Sequence, residues 1–171
     1  DADGNQNANV ANGIYTEGEV VLGGTTTLTN LFTDEKNNSI GAGAIANNGG
    51  LISGSGNLVI TGTASTDEAY PYGINNGIFI DAATVNMGGD IRVSNVTNQG
   101  IYVANDNAAL TAKNITVTDV AGNGIYVNKA TGALTTTGTI TVTNAALHGI
   151  NNVGTMNTGA IVLENITKNG I

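Results

Sequence analysis

Residues 123–144 read NGIYVNKATGALTTTGTITVTN, and residues 99–119, just before them, read QGIYVANDNAALTAKNITVTD. Laid one over the other, Gly-Ile-Tyr-Val, Ala-Leu-Thr and Ile-Thr-Val-Thr fall in step. A chain that repeats itself at this distance is built of units that stack, so the whole sequence must be searched for the period first. Gly-Ile marks it at Gly13-Ile14, Gly73-Ile74, Gly100-Ile101, Gly124-Ile125, Gly149-Ile150 and Gly170-Ile171, with Gly43-Ala44-Ile45 filling the gap. The intervals are 30, 30, 27, 24, 25 and 21 residues: six units of variable length and the start of a seventh.

Three apolar segments recur in each unit. The first is GIYV or a variant such as GIYT or GIFI; the second is VVLGG, GLISG, ATVNM, ALTAK or ALTTT; the third is TTLTN, NLVIT, DIRVSN, NITVTD, TITVTN or AIVLEN. Each alternates with the period of two that marks a strand: Ile140 and Val142 inward, Thr139, Thr141 and Thr143 outward. No unit has apolar surface enough to fold alone. Three strands per unit, stacked so that equivalent strands pair, describe a right-handed parallel β-helix of about six coils of 21–30 residues. The variable count per turn argues against a hexapeptide solenoid, and the missing L-x-x-L-x-L frame against leucine-rich repeats. A β-sandwich of short strands is the alternative.

Composition agrees. Gly stands at 25, Asn and Thr are about as frequent, charged residues make up 11% and aromatics 4%. Gly and Asn serve turns and left-handed positions while Thr serves strands. The predicted organisation is one domain over 1–171, with an irregular lead at 1–12 and coils from 13 onward. A net charge of −8 repels phosphate backbones and anionic lipid, so no nucleic acid is expected as a partner. No apolar run approaches 18 residues and no signal peptide opens the chain, so this segment is not expected to enter a membrane. The absence of cysteine removes disulfides and thiol chemistry.

A second regularity follows the third strand: Asn30, Asn95, Asp119, Asn144 and Asn165, each before an apolar residue. Such a column suits a left-handed turn and a ladder of amide hydrogen bonds. Catalysis finds little to use. The one histidine, His148, holds a turn position that Asn123 and Asn169 hold elsewhere, and the acidic pairs Asp34-Glu35 and Asp67-Glu68 are adjacent and splay apart, so no acid–base pair is expected. No catalytic residue, cofactor or metal is assigned. The opening DADGN resembles the start of a Ca²⁺ loop without the Glu that would complete it. The Thr pairs 116/118 and 141/143 suggest an ice-binding face, but Arg92/Ser94 and Val162/Glu164 interrupt it. Of four Asn-x-Ser/Thr triplets, at Asn37, Asn95, Asn114 and Asn165, three coincide with positions the fold already explains. Tyr15, Tyr102 and Tyr126 share one outward slot, where aromatic residues of successive coils stack or offer a row to sugar rings.

The pattern GIYV…ALT…ITVTN…GI resembles the passenger domains of bacterial autotransporter adhesins and related Gly/Asn/Thr-rich surface proteins, over Gly13 to Ile171. The resemblance implies a right-handed β-helix on a bacterial surface or secreted, attaching to glycans or proteins of a host or of neighbouring cells, or to itself. No membrane barrel or capping helix accompanies it, so the expectation is a piece of a longer rod. A passive spacer is the competing function; a polysaccharide-degrading enzyme and an ice-binding protein stand further off.

Coil length supplies the last clue. Between the third strand and the next Gly-Ile the later coils spend about five residues, but the first two spend LFTDEKNNSIGAG (31–43) and GTASTDEAYPYG (62–73). Insertions in a solenoid gather on one face. They carry Phe32, Asp34, Glu35, Lys36, Asp67, Glu68, Tyr70 and Tyr72, the predicted partner-binding surface, with Pro71 stiffening the second loop.

Overall fold

A computed structural model describes residues 12–33, 41–62 and 72–171 of the chain. Among them every regular element is a strand. Coil 1 holds β1 (Ile14–Thr16), β2 (Glu19–Leu22) and β3 (Thr26–Thr33); coil 2 holds β4 (Ala42–Asn47), β5 (Leu51–Gly54) and β6 (Leu58–Gly62). A short β7 (Tyr72–Gly73) precedes coil 3, with β8 (Asn76–Asp81), β9 (Thr84–Met87) and β10 (Ile91–Val96). Coil 4 has β11 (Ile101–Val103), β12 (Ala109–Ala112) and β13 (Ile115–Val120); coil 5 has β14 (Ile125–Val127), β15 (Ala133–Thr136) and β16 (Ile140–Ala145). Coil 6 closes with β17 (Ile150–Asn152), β18 (Thr155–Asn157) and β19 (Ile161–Ile166).

Equivalent strands pair in parallel and in register, giving three sheets: β1-β4-β8-β11-β14-β17, β2-β5-β9-β12-β15-β18 and β3-β6-β10-β13-β16-β19, with β7 added to the outer edge of the third. Six parallel strands in each make a parallel β-helix of three strands per coil. The cause is the alternation itself. Alternate residues of each strand point into the coil, and a residue in register with its homologue above and below buries that side chain against both. Ile101, Ile115, Ile125, Ile140 and Ile150 are all fully buried, and each such burial contributes about 1.5–3 kcal/mol.

The first-strand column runs Ile14, Ala44, Ile78, Ile101, Ile125, Ile150. It departs from the Gly-Ile reading at one coil. Ile74 is not in this column, and the true marker of coil 3 is Gly77-Ile78, so coil starts fall 30, 34, 23, 24 and 25 residues apart. The Ile74 carbonyl instead accepts from Thr97 N–H at 3.0 Å, as Val96 does from Ala121 and Val120 from Ala146. Ile74 therefore occupies the corner position of Val96, Val120, Ala145 and Ile166. The dipeptide is the same but its place in the coil is not, and the hydrogen-bond ladder decides between them.

The glycine before each first strand is required by close approach. A β-carbon on Gly124 would overlap Val142 of the same coil and sit 2.6 Å from the Gly149 carbonyl oxygen, and Gly77 and Gly100 stand in the same relation to Val93 and Val117. The third strand returns so near the first that only glycine fits between them. At either end the core loosens: Ile14, Leu22, Leu28 and Leu31, and Met156, Ile161, Leu163 and Ile166, are only partly buried.

Candidate functional site

Five of the six third strands contain, toward their ends, a non-glycine residue in the left-handed region: Asn30 (φ 57°), Asn95 (55°), Asp119 (54°), Asn144 (57°) and Asn165 (53°). This conformation costs most residues about 1–2 kcal/mol but is tolerated by Asn and Asp, whose short polar side chains bond locally. The side chains form the expected ladder in the later coils. Asn165 Nδ2 donates to Asn144 Oδ1 at 3.0 Å, and Asn144 Nδ2 donates to Asp119 Oδ1 at 2.7 Å. In coil 2 the position belongs to Gly62, where a β-carbon would collide with the Asn95 carbonyl.

That coil is also where the insertions enter. Phe32 and Thr33 continue β3 past the corner and pair antiparallel with Gly73 and Tyr72 of β7. The outgoing root of the first insertion is thus hydrogen-bonded to the returning root of the second. Phe32 and Tyr72 of the predicted surface stand on this ribbon by their backbone positions; Asp34, Glu35, Lys36, Asp67, Glu68 and Tyr70 lie outside the described residues, as does DADGN. Beside the ribbon opens a groove of about 570 Å³, lined by Gly62, Gly73, Asn95, Val96, Thr97, Asp119, Val120, Ala121 and Asn144. Sequence spacing pointed to the corner but not to the groove, where Gly62 of β6 offers no side chain beside Asn95 of β10 and Asp119 of β13 on the two strands that follow.

The tyrosine row is partly assembled. Tyr102 and Tyr126 stack at 5.1 Å between ring centres with their planes 3° apart, and Phe79, in the same outward column, meets Tyr102 edge-on at 5.5 Å. Tyr15 shares the column but is separated from Phe79 by Ile45. Tyr126 donates to Asn128 Oδ1 at 2.5 Å, and Asn128 Nδ2 reaches Tyr102 Oη at 3.3 Å. Burial, then the neighbouring Tyr126 and Asp81, push the Tyr102 phenol above the ordinary tyrosine range. Tyr15 is instead tied to Glu17 Oε1 at 2.7 Å; that bond first, then one from Asn48, holds the Glu17 carboxyl below the usual carboxylate range. The rings spend their faces on one another, as a stabilising external stack does.

A second Asx column escaped the sequence reading. Asn57, Asp90 and Asn114 precede successive third strands: Asn57 Oδ1 accepts from Asp90 N–H at 2.9 Å, Asn114 Nδ2 donates to Asp90 Oδ1 at 2.8 Å, and Asn114 Oδ1 accepts from Thr139 N–H at 2.9 Å. The signal was present in NLV, DIR and NIT. His148 holds the predicted turn place: its N–H donates to Asn123 Oδ1 at 3.2 Å and its carbonyl accepts from Gly124 N–H at 2.9 Å. The outer face of the third sheet carries Thr116/Thr118 and Thr141/Thr143 in register, broken by Arg92/Ser94 and Val162/Glu164. Among the described residues no three His, Asp or Glu gather where a metal ion could be held.

Comparison with protein-family models, with curated proteins and with solved structures finds no match to this chain.

Proposed function

We propose that this chain is a non-enzymatic attachment module of a bacterial surface or secreted protein, holding a glycan or protein at the corner that bears the two insertions. One observation carries the reading: the roots of both insertions are paired, Phe32–Thr33 against Tyr72–Gly73, beside an open groove. A structural rod needs no such feature. Its corners work best short and alike, as those of coils 4 and 5 are, and each further residue ordered at a corner costs conformational entropy. Loops raised on a rigid scaffold are where binding residues concentrate. The catalytic alternative rests on no group near the groove beyond one carboxylate, Asp119.

The test is the double variant Tyr70→Ala/Tyr72→Ala, assayed on a glycan array, on cell-surface proteins and by sedimentation over a range of concentrations. The expected result is near-unchanged stability with weakened attachment. Full attachment by the folded variant overturns the corner as the binding surface, and no attachment by the parent chain leaves the spacer.

A further inference from the structure

From the interruption of the Asn ladder at the groove, we propose that Asp119 and Asn95 together bind adjacent hydroxyl groups of a neutral sugar ring. The proposal rests on the corner being the binding surface and names the ligand class for it.

The ladder runs by donation in one direction, each amide giving its N–H to the oxygen of the coil before. Asn165 gives to Asn144, and Asn144 gives to Asp119. There it stops, because an ionised carboxylate has no proton to pass on. Asp119 Oδ2 and both ends of the Asn95 amide are left without partners, exposed at the groove. The second Asx column supplies the comparison within the same molecule. Asp90 also stands among asparagines, but both of its oxygens are used: Oδ1 accepts from Asn114 at 2.8 Å and Oδ2 from Arg92 at 3.1 Å. Asp81 and Asp106, away from the groove, each use one oxygen, Oδ1 accepting from Asn105 at 2.6 Å and from Thr131 at 2.7 Å, so what sets Asp119 apart is its place at the groove beside an unpaired amide.

A free carboxylate oxygen and a free amide one strand spacing apart, about 4.8 Å, form an acceptor beside a donor–acceptor pair. Neighbouring hydroxyls on a pyranose ring match that set. One gives a strong O–H···O⁻ bond to Asp119, and the other both gives to and takes from Asn95. Exposed Ala121 at the groove wall suits the C–H face of the ring. Charge selects against other ligands. The groove lining holds no Lys, Arg or His and the chain carries −8 overall, so sulfated, sialylated and phosphorylated ligands are repelled. One carboxylate falls short of the six to eight oxygens that Ca²⁺ takes.

The experiment compares the parent chain, Asp119→Asn and Asn95→Ala on an array of neutral, sialylated and sulfated glycans, then follows the backbone amides of the groove by NMR as the best neutral glycan is titrated in. Asp119→Asn is the decisive variant, because its amide can donate to Asn95 and complete the ladder. It is expected to keep or raise the melting temperature while weakening neutral-glycan binding roughly tenfold or more. Amide shifts should concentrate at Asn95, Thr97 and Asp119. Neutral-glycan binding that survives Asp119→Asn, a preference for anionic glycans or for basic peptides, or no glycan bound at all overturns the proposal. Loss of attachment in Tyr70→Ala/Tyr72→Ala without any neutral-glycan binding would leave the corner standing and remove only the sugar; neutral-glycan binding lost in Asp119→Asn but kept in the tyrosine double variant would locate binding in the groove and not in the loops.

Discussion

Coils 4 and 5 and coils 1 and 2 turn the same corner in opposite ways. After Val120 and Ala145, four residues (121–124 and 146–149) lead to the next first strand, each corner hydrogen-bonded to its neighbour: Gly122 N–H to Asn98 O at 2.8 Å, Leu147 N–H to Gly122 O at 3.0 Å. Side-chain amides join the coils above it. In coils 1 and 2 the ladder is missing: the register of β3 on β6 shifts between Thr29 and Leu31, so that Leu31 and not Asn30 pairs with Gly62, and the chain leaves and returns through an antiparallel ribbon. The coils below the corner are alike in both regions, with the same interior columns. A solenoid can open one corner without loss because each strand is held by its neighbours in the sheet and not by the turn that leads to it.

That contrast can be broken or sharpened by substitution. The largest effect is expected at the shared core. Ile125→Ala in a regular coil should cost about 2–5 kcal/mol in urea unfolding, because Ile101 and Ile150 in register leave the cavity unfilled. A cost under 1 kcal/mol would mean the coils collapse around the gap and the columns do not carry the fold. Next comes the ladder. Asn144→Gly and Asn95→Gly keep a residue at ease with the left-handed turn, but only the first removes amide hydrogen bonds, so it should cost about 1–2 kcal/mol more. Equal costs would show that the amide column adds nothing and that the two regions differ only in length.

Smaller effects lie on the outer face. Tyr126→Leu should lose about 0.5–1.5 kcal/mol beyond the area term, because it breaks the stack on Tyr102. The same change at Tyr15, outside the stack, should lose less; a double-mutant cycle with Tyr102 measures the difference. The smallest effect is in pH. Tyr102 holds its proton more tightly folded than unfolded, so its contribution is whole below the ordinary tyrosine range and lost as pH rises above about 10. Absorbance titration should find Tyr102 ionising late, and in Tyr126→Leu it should ionise earlier.

Periodicity and residue type reach far into this molecule. Ile140 and Val142 alternating with Thr determine which face turns inward, the Asn column determines where each coil bends, and the repeated Tyr determines the stack, because each of these is set by neighbours one or two residues away or by the same residue one coil on. Two Gly-Ile dipeptides in coil 3 are locally equivalent, and no local rule separates Gly73-Ile74 from Gly77-Ile78. Only pairing with the coils on either side assigns Ile78 to the first strand and Ile74 to the corner. The candidate site has the same origin. Asp119 looks like one more turn residue until the coils stack, when the direction of donation along the column leaves its second oxygen and the Asn95 amide unpartnered at the groove that Gly62 also lines. Sequence determined the period and the inward face, since both follow from the alternation of side chains along one strand. The register of unequal coils, and with it which polar groups are spent and which are left over, belonged to the tertiary structure, because hydrogen bonds between coils join residues about 21–34 apart whose partners the local chain does not specify.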